Sequence, residues 1–283
     1  MRLLSRMALI LAHYLPRGYW RVLRFAAKRD PALWDIPLPL RLIPGAKIRA
    51  DLRESVYVPI YRNGYYSHQN GEDLISMQIL RPGDLVFDVG ANIGYTAILF
   101  SHMAGATGKV IALEPSPKCF RLLERTVSDI SNVDCLNLAA SSSEGEVSFY
   151  ESDSLDRSSI EDIPGIKPYS VKTMTLDTLA SKLGLPAFVK IDVEGHESSV
   201  IEGMSAMLNC DKQPILLFEA LSRNALDANL AVLNKHARER YAIFRIKPEG
   251  TLGPVDEIGT NNYLAVPQWA RNRLQGGNIN LPD

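Results

Sequence analysis

From residue 72 onward, short unbroken apolar runs alternate with stretches in which apolar residues recur every three or four positions, a rhythm the first 71 residues lack. An unbroken apolar run between turn signals reads as a strand buried on both faces, and the three-to-four spacing reads as helix. The spacing predicts helices over 72–80, 93–103, 116–130, 175–183, 197–208 and 222–240. It predicts strands over 85–89, 109–113, 133–138, 188–192, 215–218, 241–246 and 262–266, with a smaller one over 147–150. Strands alternating with helices imply an α/β fold, a mostly parallel, doubly wound sheet with helices on both faces. The last two strands are joined by loop-like residues rather than a helix, so they are expected to pair antiparallel. Residues 151–168, rich in Ser, Asp, Gly and Pro, read as a long loop. The expected organisation is an N-terminal extension over 1–71, a main domain over 72–270 and a flexible tail over 271–283.

Within the extension, Pro31, Pro37, Pro39 and Pro44 mark an extended connector, because proline removes backbone donors and biases the preceding residue away from helix. Ile48, Ala50, Leu52, Val56, Val58 and Ile60 alternate loosely, which predicts a short hairpin over 47–61. Tyr57, Tyr61, Tyr65, Tyr66 and His68 offer rings for stacking on an acceptor; the preferred reading is a hairpin with ordinary β-favouring tyrosines.

Charge divides the chain at the same place. Residues 1–30 hold seven Lys/Arg and one acid, a net +6; the remaining residues hold 24 bases and 31 acids, a net −7. A basic segment with interleaved Leu, Met, Tyr and Trp can lie weakly on an anionic membrane. The reading favoured here is a basic helix packed on the main domain with its charges solvated. The longest apolar stretch in this segment, residues 7–12, is far shorter than the roughly 20 residues needed to span a bilayer. No small-x-small cleavage pattern follows it, so a cleaved leader is not expected.

Composition narrows the classes. Hydrophobic residues make up 46% and charged residues 22%, ordinary for a globular protein. The net charge of −1 argues against a polyanion binder, so no nucleic acid partner is expected. Cys119, Cys135 and Cys210 lie far apart without a CxxC, which argues against a disulfide scaffold or a cysteine zinc site. This suits a reducing, cytoplasmic setting. The sequence assigns no oligomeric state.

Three blocks carry chemistry. The first, Asp88-Val89-Gly90-Ala91-Asn92-Ile93-Gly94, sits where the first main-domain strand turns into a helix. Small residues there let the backbone approach a ligand. The D-x-G-x-N-x-G spacing differs from the G-x-G-x-x-G of dinucleotide binders. A carboxylate at the strand end suits a cationic group such as an α-ammonium better than a pyrophosphate. The alternative is a tight turn that only packs. The second block, Glu114-Pro115, ends the next strand 20 residues after Gly94. An acid at that offset can accept both hydrogen bonds of a ribose diol; the alternative is a solvated strand-end acid. In the third, Lys190-Ile191-Asp192-Val193-Glu194-Gly195-His196-Glu197, three acids and a histidine crowd a strand end. Asp192, Glu194, His196 and Glu197 include metal-ligand types. Their spacing does not require convergence, Glu197 alone suits a helix start, and no metal is assigned.

Together the three blocks resemble the FkbM family of S-adenosylmethionine-dependent methyltransferases. Thr175-Leu176-Asp177-Thr178-Leu179 and Leu217-Phe218-Glu219 also match, and the resemblance covers roughly residues 72–266. It implies a Rossmann-like seven-stranded sheet of order 3-2-1-4-5-7-6 and S-adenosylmethionine as cofactor. Asp88, Gly90, Asn92 and Gly94 would frame the methionine moiety, and Glu114 would hold the ribose. Ala140 and Ser141 would lie near the adenine, and Asp192 near the transferred methyl. Family members mostly methylate hydroxyl oxygens, so the expected partner is a small-molecule or glycan acceptor.

The chemistry agrees with this set. A sulfonium methyl is already activated, so the protein must supply alignment and a group that takes the hydroxyl proton. Asp192 and His196 are the candidates. His196 has the suitable ordinary pKa of about 6.5, and its alternative is a helix-start residue bonding its own backbone. Two other functions stay open at this stage: a nucleotide-dependent oxidoreductase on a similar fold, and an adenosylmethionine-binding protein without catalysis.

Overall fold

The computed structural model describes residues 3–15, 17–66, 70–151, 158–159, 167–255 and 261–274. These fall into two compact units, the described residues up to 66 forming one and those over 70–151 and from 158 onward the other. His68, most of the expected 151–168 loop and the last nine residues of the expected tail lie outside the described residues.

The first unit contains helices α1 (Leu3–Tyr14) and α2 (Tyr19–Ala27), joined through Gly18 at φ 72°. The basic segment is thus two helices, not one. Strand β1 (Ile36–Pro39) pairs antiparallel with β2 (Lys47–Ala50). A two-stranded ribbon has only edge strands, so Pro37 and Pro39 are tolerated. The expected hairpin is corrected here. It forms earlier, and residues 57–63 are helix α3 (Tyr57–Asn63), ending at Gly64 with φ 76°. Val56, Tyr57, Val58 and Ile60 are all buried. A strand with one covered face alternates buried and open side chains, which the burial of both Tyr57 and Val58 breaks, whereas in α3 Tyr57 and Ile60, three apart, share one face. Tyr57 lies in the core and the Tyr61 hydroxyl donates to the Leu9 carbonyl at 2.7 Å, so neither is a free stacking platform.

The second unit opens with α4 (Asn70–Ile79), β3 (Leu85–Val89), α5 (Tyr95–Ala104), β4 (Lys109–Leu113), α6 (Pro117–Val127) and β5 (Val133–Leu136). Four short or peripheral strands follow: β6 (Ala139–Ala140), β7 (Gly145–Glu151), β8 (Ser158–Ser159) and β9 (Tyr169–Met174). Next come α7 (Leu176–Leu183), β10 (Phe188–Ile191), α8 (Glu197–Glu202), α9 (Ser205–Leu208) and β11 (Ile215–Glu219). The last elements are α10 (Arg223–His236), β12 (Ala242–Ile246), β13 (Leu252–Gly253) and β14 (Asn262–Val266).

Among the described residues the main sheet has eight strands in the order β13-β12-β14-β11-β10-β3-β4-β5. Without β13 this reads 3-2-1-4-5-7-6 along the chain, with β14 antiparallel to both β11 and β12. The short β13, antiparallel to β12, adds an eighth strand to the expected seven. The central strands carry their continuous apolar runs because both faces are covered. Phe87, Val89, Val189, Ile191 and Leu216 share one core with residues of α7, α8, α9 and α10. Val86, Asp88, Phe188 and Lys190 alternate to the opposite face, where Phe100 of α5 meets Phe188 edge-on at 5.5 Å.

The smaller strand predicted over 147–150 forms within β7, which pairs with β8 and β9 in a separate sheet of order β6-β9-β7-β8. One further expectation is corrected. Residues 271–274, expected in the tail, form part of a 3₁₀ helix over Gln268–Leu274. Leu274 is buried and Arg273 pairs with Asp84 at 2.6 Å, so this segment has both an apolar and an ionic anchor.

Candidate active site

Parallel strands aim their carboxyl ends at one edge of the sheet, and the order reverses between β3 and β10, which makes a crevice there. Both chemistry-bearing loops leave from this point. The register sets Asp88 beside Lys190 on adjacent strands.

The loop after β3 is held by its own backbone needs. Gly90 adopts φ 81°, and a Cβ there would lie 1.8 Å from the Asp192 carbonyl oxygen. Glycine is therefore required for the two loops to touch, a packing reason that exists without any ligand. Gly94 starts α5 at φ 87°, and a Cβ would press on Leu123 of α6 at 2.9 Å. Asn92 and Glu194 are the described non-glycine residues at positive φ, at 49° and 53°. Each sits in one of the facing loops, where unusual backbone is commonly held in place by its surroundings.

Glu114 explains why Asn92 can hold that conformation. Its carboxylate accepts the Asn92 N–H at 2.8 Å and the Ser116 N–H at 2.9 Å. It is therefore a buried brace between loops, not a solvated strand-end acid. Each oxygen retains a lone pair for a further donor. Burial pushes its carboxyl up to about 7, against the pull of those two amides.

Asp88 is fully buried. Its Oδ2 accepts the Thr96 hydroxyl at 2.8 Å, while Oδ1 has no hydrogen-bond partner among the described residues. Burial raises its carboxyl, and the nearby Lys190 opposes that shift.

Lys190, 2% exposed, donates to Asp192 Oδ2 at 2.8 Å. Burial works against its ammonium, yet Asp192, Asp88 and Glu72 together hold its pKa above the usual lysine value. Glu72 and Asp73 come from the first turn of α4. Glu72 accepts Asn262 Nδ2 at 2.5 Å, and Asp73 accepts the Tyr95 hydroxyl at 2.6 Å. Burial raises Glu72 well above its ordinary value and Asp73 to about 7.

At the mouth of the crevice, carboxylate oxygens of Asp192, Glu194 and Glu219 lie within 4.8 Å of one another. Burial, then Asp192, Glu194 and Glu197, pushes Glu219 up to about 7. This is the described group that could hold a cation. The set named from the third block does not converge as named. Glu197 turns back, accepting the Val193 N–H at 3.2 Å and the Gly195 N–H at 3.1 Å. His196 Nε2 lies 3.1 Å from Ser141 Oγ, and its side chain does not cap α8. The ring thus joins Ser141, expected near the adenine.

The sequence reading missed the roles of Lys190, Glu72, Asp73 and Glu219. Lys190 had a readable signal: a charged residue inside an unbroken apolar strand must be buried and paired. Glu72 and Asp73 had none, because acids in a first helical turn ordinarily face solvent.

Asp73, Glu114 and Glu219 make a measurable prediction. Each binds its proton more tightly folded than unfolded. Their stabilisation is full below the unfolded values near pH 4 and is lost as pH rises through about 7. Tm should fall from about pH 5 to about pH 8, and Glu114→Gln should flatten part of that slope. A level Tm over this range would show that these carboxyls are not held protonated.

Residues 88–241 match the family described as the methyltransferase FkbM domain. The chain is 35% identical over 128 residues to the hexuronic acid methyltransferase AglP of Haloferax volcanii, covering 44% of this chain and 52% of that protein. It is 38% identical over 92 residues to the 31-O-demethyl-FK506 methyltransferase FkbM of Streptomyces tacrolimicus, covering 31% of this chain and 32% of that one. The match thus spans about half the length of the first and a third of the second. Among solved structures, Aeropyrum pernix fibrillarin with bound S-adenosyl-L-methionine aligns at TM-score 0.44 and 14% identity, over 70% of this chain and 76% of that one.

Proposed function

We propose that this chain, which belongs to the FkbM methyltransferase family, transfers a methyl group from S-adenosylmethionine to a hydroxyl oxygen of a small molecule or glycan precursor. The observation that carries this reading is the contact of the two loops at the strand-order reversal, Gly90 against the Asp192 carbonyl. It brings the Gly90 loop and the acidic Asp192 loop together, which supports a cofactor framed by the first and an acceptor held by the second.

The residues present fit the cofactor. Asp88 Oδ1, buried and without a partner among the described residues, offers an acceptor to an α-ammonium. Gly90, Asn92 and Gly94 frame that end. Glu114 keeps lone pairs for a ribose diol beyond the two amides it already accepts. Ser141, tied to His196, borders the adenine side in this reading. When bound, the cofactor supplies a methyl on sulfonium, open to in-line displacement. Asp192 orients the acceptor hydroxyl and takes its proton, and Lys190 fixes that carboxylate at 2.8 Å. His196 is the second candidate for the proton. AglP is named for a hexuronic acid and FkbM for 31-O-demethyl-FK506, which supports an oxygen acceptor here.

Two properties complete the reading. The three cysteines are free, which suits a reducing, cytoplasmic setting. No helix among the described residues is long and apolar enough to cross a membrane, and the +6 charge of residues 1–30 supports salt-sensitive contact with anionic lipid.

Calorimetry tests the assignment. The chain should bind adenosylhomocysteine and not NAD. Glu114→Gln should weaken binding by about tenfold to 150-fold, the worth of roughly 1.5–3 kcal/mol for a hydrogen bond to a charged group. Binding of NAD in place of adenosylhomocysteine would instead make the protein a nucleotide-dependent oxidoreductase. Cofactor binding without turnover on any hydroxylated acceptor would leave a non-catalytic binding protein.

A further inference from the structure

Helix α1 is built the wrong way round for a helix in water. At 100° per residue, Leu3, Leu4, Met7, Ile10, Leu11 and Tyr14 fall within an arc of about 120°. These six side chains are between 52% and 79% exposed. The opposite side carries Ser5, Leu9 and Ala12: Ser5 and Ala12 are buried, Leu9 is half-buried, and its carbonyl accepts the Tyr61 hydroxyl. The helix is thus seated on its own unit by that side and turns these six large apolar residues outward. A continuous apolar face of this size on a surface helix marks a docking site.

Charge selects the occupant. No acid occurs before Asp30, while Arg6, Arg17, Arg21, Lys28 and Arg29 are exposed. Helix α2, packed against α1, adds Trp20 and Phe25, 41% and 61% exposed. Arg21 lies over the Trp20 ring at 5.3 Å and Arg29 over Phe25 at 3.6 Å. A second copy of the same face would bring these cations together, which opposes pairing. An anionic lipid surface satisfies both parts, taking the apolar face between headgroups and the cations beside phosphates. Twelve residues at 1.5 Å each make about 18 Å, short of the roughly 30 Å hydrocarbon core, so α1 would lie in the plane of the surface.

We propose that the outward face of α1, from Leu3 to Tyr14, inserts into the headgroup layer of an anionic membrane, with the cations of α2 beside it. This rests on the lipid contact proposed for residues 1–30 and identifies the surface that makes it.

The test is sedimentation of the full chain with vesicles of phosphatidylcholine alone and of phosphatidylcholine with phosphatidylserine, at low and high salt. The chain should sediment with the anionic vesicles and keep part of that binding at high salt. The double variant Met7→Asp, Ile10→Asp should lose about tenfold or more in partitioning. The milder Met7→Ser, Ile10→Ser should lose in the same direction, and circular dichroism should match wild type because both positions are exposed. If both pairs bind like wild type while Arg21→Gln with Lys28→Gln does not, the contact is electrostatic only. The insertion is then overturned and the lipid contact stands. If wild type ignores anionic vesicles, both fail. A dimer in solution that Ile10→Asp makes monomeric would then identify the face as a self-association surface.

Discussion

Lys190→Met should cost the folded protein about 3–5 kcal/mol, the usual penalty for removing one partner from a buried ionic group. For a domain of this size that is a fall in Tm of roughly 6–20 °C. Methionine fills much of the same space, so a cavity is not the cause. Asp88, Glu72 and Asp192 would lose a buried cation that they share. The sign of the pH dependence separates this from a packing defect. Burial raises the Glu72 and Asp88 carboxyls, so as the pH falls they take up protons and need the ammonium less, and the gap between variant and wild type should narrow on acidification. A gap that stays constant across pH would mean that Lys190 acts through packing alone. An unchanged Tm would mean that it is not the group holding the acids together.

Asp192→Asn should reduce methyl transfer by about 10²–10⁴, the range for loss of a positioned proton acceptor. It keeps the shape of the side chain and leaves Gly90 in contact with the backbone carbonyl of residue 192. Adenosylhomocysteine binding should therefore change far less than turnover. Single-turnover rates with a genuine acceptor provide the measurement, and a wild-type rate in Asp192→Asn would overturn the proposed reacting group. His196→Ala is the comparison. With its ring tied to Ser141, its loss should keep activity within a few-fold if it only joins the two loops. If the ring takes the proton, the loss should match that of Asp192→Asn and erase the limb of the pH profile near the imidazole pKa.

The strands of the main sheet can be read from the chain because each central strand is apolar on both faces, and that pattern is local; their order comes from the family resemblance. Phe188-Val189 and Leu216-Leu217 need no tertiary information to declare themselves. The segment around Tyr57 could not be read this way. Val56, Val58 and Ile60 satisfy a period of two, while Val56 and Ile60 also stand at the helical spacing of four, and the burial of Tyr57 and Val58 together, which decides between them, is a tertiary fact. Strand β9 does alternate, with Val171 and Thr173 buried and Ser170 and Lys172 exposed. It was missed because it adjoins a polar loop and pairs with β7 across a long separation.

At the site, the glycine loop and the acids at 114 and 192 were legible from type and spacing. Their partners were not. Glu72 reaches Asn262 from 190 positions away, a distance over which sequence pattern carries no geometry. The same holds for Ser141 and His196, which were assigned separate places and share a hydrogen bond. Glu219 was quoted as a strand end, but only the register of β11 beside β10 brings it near Asp192.

The position of Glu72, Asp73 and Asn262 outside residues 88–241 bears on how this protein can be cut and recombined. The matched stretch begins inside β3 and ends before β12. Excised alone, it would bare the edge of β11 that β14 covers, an open edge ready to aggregate. It would also strand Lys190 without the α4 acids that face it. The portable module for chimeras or library shuffling therefore runs from the start of α4 through the 3₁₀ helix ending at Leu274. Crossovers placed at the borders of the recognisable motifs would pass through the ionic centre of the fold, and crossovers at the borders of the module would leave it whole.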